Sequence, residues 1–574
     1  MEINLKFNKD FERQLTLLRE KYGEDFEVLN GIHETQMNFS DFIDAFVDKN
    51  VADVTIDANA NVTSKDIASF RNEKGKSIDK VIAANKIFHE IKKKYGLKTA
   101  KEWLETEYTG GFYLHDFPST SYIPYCYAYD LSRLATEGLF FLKNYNNQPP
   151  KHLTTFLDDV IEFVSYMANR SSGAVGLPNI LLWTYYFWKK DVESGHYIKS
   201  PEYYLRQCFQ KFIYRLNQPF MRIDQSAFVN VSIFDREYYE ALFGGLEFPD
   251  GTFAIDYVDE FIEHQKVFME VVAEIRHKNM FTYPVLTISL LRKNGKFEDE
   301  EFARWGIKHN MKWSDSNIFC DTSVNSLSNC CRLKSDIRDI GYFNSVGGTA
   351  LKVGSIKVST INLARIALDT KTEEEYLEEL KHRVIVNLRA LDCVRHIIKR
   401  NVEKGLLPNF THGLVDFEHL YNTIGFIGIY ETMKKFGYTY KDTFGNTYYN
   451  DKASEFGKKI FDTMRSTADA FIVENECDYK INTEQIPAES AAAKLMKKDK
   501  FFYPKAKIYD LPLYGNQFMP LGIQTTGQER IRVQALFDGY CNGGSILHFN
   551  IDAPFDSFEK ALYMTNYIAQ HGVT

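Results

Sequence analysis

The chain has 574 residues, 44% of them hydrophobic and 25% charged, with a net charge of -8. That length asks for several domains or one large one, and the ordinary apolar content excludes global disorder. The acidic balance argues against direct nucleic-acid binding and against a membrane-surface binder. No run of about 20 apolar residues occurs, so no transmembrane helix is expected. The start, Met1-Glu2-Ile3-Asn4-Leu5-Lys6, lacks a signal-peptide layout. The eight cysteines contain no C-x-x-C pair and the histidines no H-E-x-x-H, so no metal site is expected within these residues. Reduced thiols and a cytoplasmic location follow as the default.

In chain order, residues 1–55 read as a helical N-terminal extension, with Phe11, Leu15, Leu17 and Leu18 as an amphipathic start. Asn38-Phe39-Ser40-Asp41 reads as a cap before Phe42 to Val47. The polar run Asp57-Ala58-Asn59-Ala60-Asn61-Val62 reads equally well as a solvated loop. Helices are expected from Lys80 to Glu107, broken by Gly110-Gly111. Ser121 to Tyr129 reads as a buried, aromatic-rich strand. A second strand is expected over Val353 to Leu363. A long helix follows from about Lys371 to Glu403, with Thr372 and Glu375 at capping-box spacing. Leu377, Leu380, Val384, Leu388, Leu391, Val394 and Ile398 recur along it at helical intervals, and Gly405 then Pro408 close it. A strand followed by a long helix is the unit of an α/β sheet or barrel, so residues 56–574 read as one large α/β domain.

Three features could carry chemistry. Cys330-Cys331 sits between polar neighbours, Asn325 to Asn329 and Arg332. Two small buried residues would give the same pattern, since a free thiol packs like a hydrophobe. Adjacent cysteines rarely bond to each other, so a redox partner would come from elsewhere, Cys126 being one of six. Second, Pro487-Ala488-Glu489-Ser490-Ala491-Ala492 opens a helix with small residues. Such a start lets a phosphate approach backbone N–H groups, and it is equally an ordinary helix start. Third, Gly347-Gly348 and Gly543-Gly544 allow close approach of a ligand or a tight turn.

Taken in order, these segments resemble the large subunit of the class III (anaerobic) ribonucleoside-triphosphate reductases. These belong to the glycyl radical enzyme superfamily. The resemblance rests on Asp57 to Val62, Gly111-Phe112-Tyr113-Leu114-His115-Asp116, Ser172 to Pro178, Gln225 to Ser232 and Phe281 to Val285. It continues through Asn329-Cys330-Cys331-Arg332-Leu333, Gly354 to Ala367, Pro487 to Ser490, Tyr514 to Phe518 and Gly543 to His548. It implies a ten-stranded α/β barrel of two antiparallel five-stranded parallel halves, with a central finger loop. Cys331 matches the thiyl-radical cysteine on that loop, and Cys126 matches the second active-site cysteine. Asn344 matches an asparagine linked with formate as reductant. Asn329 stands where the aerobic enzymes have asparagine, and it could bond the ribose. Ala488, Glu489, Ser490, Ala491 and Ala492 match the cradle for substrate phosphates.

The resemblance implies reduction of ribonucleoside triphosphates to 2′-deoxyribonucleoside triphosphates for DNA synthesis, with dNTP and ATP effectors and a homodimer. It also implies a radical-SAM activase, which carries S-adenosylmethionine and a 4Fe-4S cluster. No activity-regulating ATP-cone signature is found in residues 1–55. The family's four-cysteine zinc site and glycyl-radical motif do not occur in the sequence. Both are expected in a C-terminal segment missing from this chain. Two rival readings remain: another glycyl radical enzyme of formate-lyase or dehydratase type, and a non-catalytic nucleotide-binding paralogue.

Overall fold

A computed structural model describes residues 6–23, 67–142, 147–222, 225–324, 326–328, 334–336, 352–486, 488–551 and 553–574. The expected cap at Asn38 to Asp41, the run Asp57 to Val62, the boundary at residue 55 and Gly347-Gly348 lie outside the described residues. The chain divides into two compact units. The first takes Met1–Pro124, Ser355–Lys404 and Leu420–Asn550; the second takes Tyr125–Gly354, Gly405–His419 and Ile551–Thr574. The strands that matter for the site are, in chain order, β1 (Phe112–Leu114), β2 (Cys126–Ala128), β3 (Val175–Gly176), β4 (Val229–Phe234) and β5 (Val285–Lys293). They continue with β6 (Lys296–Phe297), β7 (Ser316–Asp321), β8 (Gly354–Asn362), β9 (Leu420–Ile427) and β10 (Ile481–Glu484).

In the second unit β2, β3, β4, β5 and β7 are neighbours in that order and all parallel. Parallel neighbours need crossovers, and helices supply them. Leu153–Ala168 links β2 to β3, Ile180–Glu193 and Pro201–Leu216 link β3 to β4, Val258–Arg276 leads to β5, and Glu300–Trp313 leads to β7. These five parallel strands correspond to one of the two halves expected from the sequence. β6 turns back on β5 through Asn294-Gly295, both at positive φ (52° and 79°), the geometry of a two-residue hairpin. The strand expected over Ser121 to Tyr129 is shorter than its composition implied. Only Cys126 to Ala128 pair, because Ser121 and Tyr122 complete the turn after Phe117–Ser119 and Pro124 has no N–H to give a ladder.

In the first unit β9 and β10 are parallel, β8 lies beside β9, and β1 pairs antiparallel with β8. The helix Lys9–Tyr22 is capped by Asn8 and buries Phe11 and Leu18 while Leu17 faces solvent. Helices fill Ile67–Tyr95 and Leu97–Thr109 as expected, and Gly110 at φ 91° ends the second. The long helix runs Glu373–Glu403. The Thr372 side chain accepts from the Glu375 N–H at 3.2 Å. The reciprocal bond falls one residue early, from the Lys371 N–H to Glu375 Oε2 at 2.8 Å. Leu380, Val384, Leu388, Leu391, Val394 and Ile398 are fully buried, at roughly 1.5–3 kcal/mol per side chain. Gly405, at φ 69°, follows the helix end.

One buried carboxylate ties the first unit together. Asp499, on the helix Glu489–Phe502, is 0% exposed. It accepts from Asn362 Nδ2 at 2.9 Å and from the Tyr514 hydroxyl at 2.6 Å, and it pairs with the Arg365 guanidinium. Asn362 also donates to the Gly110 carbonyl and caps the next helix by accepting from the Arg365 N–H. Arg365 donates to the Thr109 carbonyl at 3.1 Å and lies over the Phe502 ring. Removing Asp499 would leave Arg365 buried and uncompensated. Asp499→Ala should therefore cost about 3–5 kcal/mol in denaturant unfolding. The paired change Asp499→Leu with Arg365→Met should cost clearly less than the single one.

Candidate active site

Cys126 is a free, buried thiol in β2. The register across the second unit's sheet puts Ala128, Gly176 and Asn230 on one face, with Ser232, Thr287 and Asn317 in the next row. Cys126, two residues before Ala128, shares that face. The opposite face carries Tyr127, Val175 and Val229, then Ile233, Ile288 and Ile318. The sheet is thus apolar on one side and lined with small polar groups around a thiol on the other. Asn230, Ser232 and Thr287 are buried nonetheless.

The segment Ser172 to Gly176 wraps the thiol. The Ala174 N–H points at Cys126 Sγ from 3.2 Å, and the Gly173 N–H donates to the Tyr125 carbonyl at 2.6 Å. A Cβ on Gly173 would stand 2.3 Å from Sγ, so this position has room only for glycine. Arg222 holds the loop from behind, donating to the Ser171 and Gly173 carbonyls at 2.5 and 3.3 Å.

The phosphate-cradle candidates lie in the first unit. The helix Glu489–Phe502 starts after Ala488, whose own side chain gives no cap. Ala488, Ala491 and Ala492 are buried, and Ser490 is partly buried. One turn in, Lys494 Nζ donates to the Tyr113 hydroxyl at 3.4 Å. Two turns in, buried Lys498 donates to the Glu107 and Tyr108 carbonyls, at the end of the helix Leu97–Thr109. Burial pushes the Lys498 ammonium down and the Glu107 carboxyl up. Cys331, Asn329 and Asn344 lie outside the described residues.

The first unit's strands carry polar groups that sequence reading did not single out. Ser355 and Thr423 hydroxyls bond at 2.9 Å, and Lys357 is fully buried with Nζ 3.4 Å from the Asp116 carbonyl. Asn422 on β9 and Asn482 on β10 are 0% and 2% exposed, and neither amide has a partner among the described residues. Orphaned buried amides cost about 1–3 kcal/mol each, which marks them as ligand-facing candidates. Gly543 clears space for Asn482: a Cβ there would stand 2.7 Å from Nδ2. The one available signal was a small polar residue at alternate positions of an otherwise apolar strand, as in Val229-Asn230-Val231-Ser232-Ile233.

A cavity of about 330 Å³ in the first unit is bordered by Arg365, Arg383 and His382. Each of these side chains already faces a carboxylate: Arg365 faces Asp499, Arg383 faces Asp369 and Glu379, and His382 faces Glu102. It is not built for an anion.

His115, after β1, donates to or accepts from Thr360 Oγ1 at 2.8 Å. Burial pushes its imidazole down to about 4. The unfolded chain, near 6.5, binds the proton first as pH falls, so stability is lost between pH 6.5 and 4. The loss from this residue should reach about 3 kcal/mol, and His115→Gln should flatten that limb of the unfolding curve. Gly173→Ala should cost about 1–3 kcal/mol in thermal unfolding and lower turnover, because the new methyl displaces the Cys126 side chain or the loop.

The model of the family described as anaerobic ribonucleoside-triphosphate reductase matches residues 74–574. The structure is similar to the anaerobic ribonucleotide reductase from Thermotoga maritima solved with glycerol in the active site. That match has TM-score 0.89 and 36% identity and covers 100% of this chain and 91% of that one. The same enzyme solved in complex with dATP and CTP matches with TM-score 0.89, 36% identity and the same coverage. Another structure, described as an anaerobic ribonucleotide reductase, matches with TM-score 0.90 and 38% identity, over 100% of this chain and 88% of that one. No curated protein matches the sequence.

Proposed function

As the chain belongs to the anaerobic ribonucleoside-triphosphate reductases, we propose that Cys331 and Cys126 are its two reacting cysteines. Reduction of ribonucleotides is its reaction, and it is an oxidoreductase. In the proposed sequence, Cys331 as a thiyl radical takes the ribose 3′ hydrogen. An S–H bond forms and a carbon radical is left at C3′. The 2′ hydroxyl then leaves as water with the Cys126 proton, and Cys126 supplies reducing equivalents to the sugar as a disulfide radical forms with Cys331, which formate then reduces back. Cys331 returns a hydrogen to C3′ at the end. Formate is the two-electron reductant in this reading and leaves as carbon dioxide, with Asn344 beside it. Asn329 bonds the ribose, and Ala488 to Ala492 receive the triphosphate at the helix start.

The observation that supports the reading is the setting of Cys126. A free thiol stands buried on the polar side of a parallel sheet, against a glycine that has room for nothing larger. Radical intermediates need such a dry enclosure. The purpose of the reaction would be DNA synthesis, in the cytoplasm, by a homodimer that a radical-SAM activase switches on. Deoxynucleoside triphosphate effectors such as the dATP bound by the Thermotoga enzyme would act here as well. No helix among the described residues is long and apolar enough to cross a membrane. The described cysteines are single free thiols, which does not fit a four-cysteine zinc site, and no step is assigned to zinc.

The test is turnover of the anaerobically activated enzyme. Cys331→Ser and Cys126→Ser should each abolish deoxynucleotide formation while nucleotide binding by equilibrium dialysis stays within about twofold. Full turnover in either variant would overturn the assignment.

A further inference from the structure

Three side chains of the second unit meet where the start of one helix adjoins the end of another. His152 precedes the helix Leu153–Ala168, Asp191 lies near the end of Ile180–Glu193, and His196 follows that helix. Asp191 is 1% exposed and fully engaged. Its Oδ2 accepts from the Leu153 N–H at 2.9 Å and the Tyr204 hydroxyl at 2.7 Å, and its Oδ1 stands 2.7 Å from His152 Nδ1. A carboxylate can only accept, so the His152 proton sits on Nδ1 and the lone pair on Nε2. The His152 side chain is 39% exposed, so that lone pair belongs to a ring open to solvent.

His196 brings a second imidazole to the same place. Its N–H donates to the Asp191 carbonyl at 2.7 Å, which fixes the chain after the helix. Its ring stacks on that of His152, with centroids 3.8 Å apart and planes 21° from parallel. One donor atom from each of the three residues lies within 4.8 Å of the others. Two nitrogens on one zinc ion stand roughly 3.3 Å apart, given Zn–N bonds near 2.05 Å and tetrahedral angles. The exposed His196 ring has to turn out of the stack so that both rings direct an in-plane lone pair at one ion.

We propose that His152 and His196 bind a transition-metal ion of the zinc class, with Asp191 as the carboxylate that orients His152 from behind. Imidazole nitrogens select zinc, nickel or copper over magnesium and calcium, which want oxygen donors. A carboxylate behind a ligating histidine fixes the tautomer and raises the basicity of the ligand nitrogen. Two protein ligands leave the remaining positions to water. The ion would clamp the start of Leu153–Ala168 to the segment that follows Ile180–Glu193. The sequence hides this site, because its two histidines stand on different elements with no motif spacing.

The probe is zinc chloride, titrated calorimetrically into the whole chain in the presence of millimolar magnesium. One ion per chain at micromolar affinity is expected, with a rise of a few degrees in melting temperature. His152→Ala and His196→Ala should each weaken it at least tenfold, and Asp191→Asn should weaken it about tenfold by releasing the ring. His196→Ala is the safer variant, because its ring is exposed and carries no buried partner. Zinc binding that is unchanged in both histidine variants would place the ion on cysteines and overturn the proposal. So would competition by magnesium, or the absence of any binding.

Discussion

Asp499 is the constraint on which the first unit's chemistry depends. Its carboxylate is out of water, so its charge has to be met by groups that are themselves fixed, and they come from three elements: Asn362 at the end of β8, Arg365 in the helix Leu363–Asp369, and Tyr514 in the loop beyond Phe502. Asn362 and Arg365 in turn hold the carbonyls of Gly110 and Thr109. The helix that begins at Glu489 is therefore anchored ten residues downstream of its start. An anion site at a helix start needs that kind of anchoring. The N–H groups attract charge only if the helix cannot shift to satisfy them another way.

The same network explains why several of the family-like motifs exist at all. Asn362-Leu363-Ala364-Arg365 and Tyr514-Gly515 meet Asp499, Glu431 and the end of the helix Leu97–Thr109. They hold the scaffold: Gly515 donates its N–H to Glu431 at 3.1 Å and offers its carbonyl to Gly428. Ser172-Gly173-Ala174, in contrast, lies against a thiol. Motifs of similar length and composition thus divide into those that brace the sheet and those that line the site. Only the distances separate them.

What the sequence made legible was local. The helix Glu373–Glu403 was readable because seven apolar residues recur at its period between a capping threonine and a terminal glycine. β8 was readable as the strand expected over Val353 to Leu363, ahead of that helix. Asp499 was not, because Lys497-Lys498-Asp499-Lys500 has the look of a solvated charged face, yet Lys498 and Asp499 are both buried. Asn422 and Asn482 were invisible for a related reason. Whether an amide is orphaned depends on what strands distant in sequence leave around it. The aromatic run before Cys126 misled by composition: tyrosines favour strands, but Pro124 cannot extend a ladder.

Thiol and polar lining together set the requirements of the second unit. In the proposed reaction Cys126 must be close to substrate yet shielded from stray oxidants and water. Burying it on an apolar face would shield it and leave nothing to bind a sugar. Exposing it would do the reverse. The parallel sheet resolves this with its period of two, which gives hydrophobic packing to the helices on one side and hydroxyls and amides to the other. Gly173 then brings a backbone N–H to 3.2 Å from the sulfur through Ala174, closer than any side chain at that position would allow. The glycine is therefore what lets the loop close over Cys126.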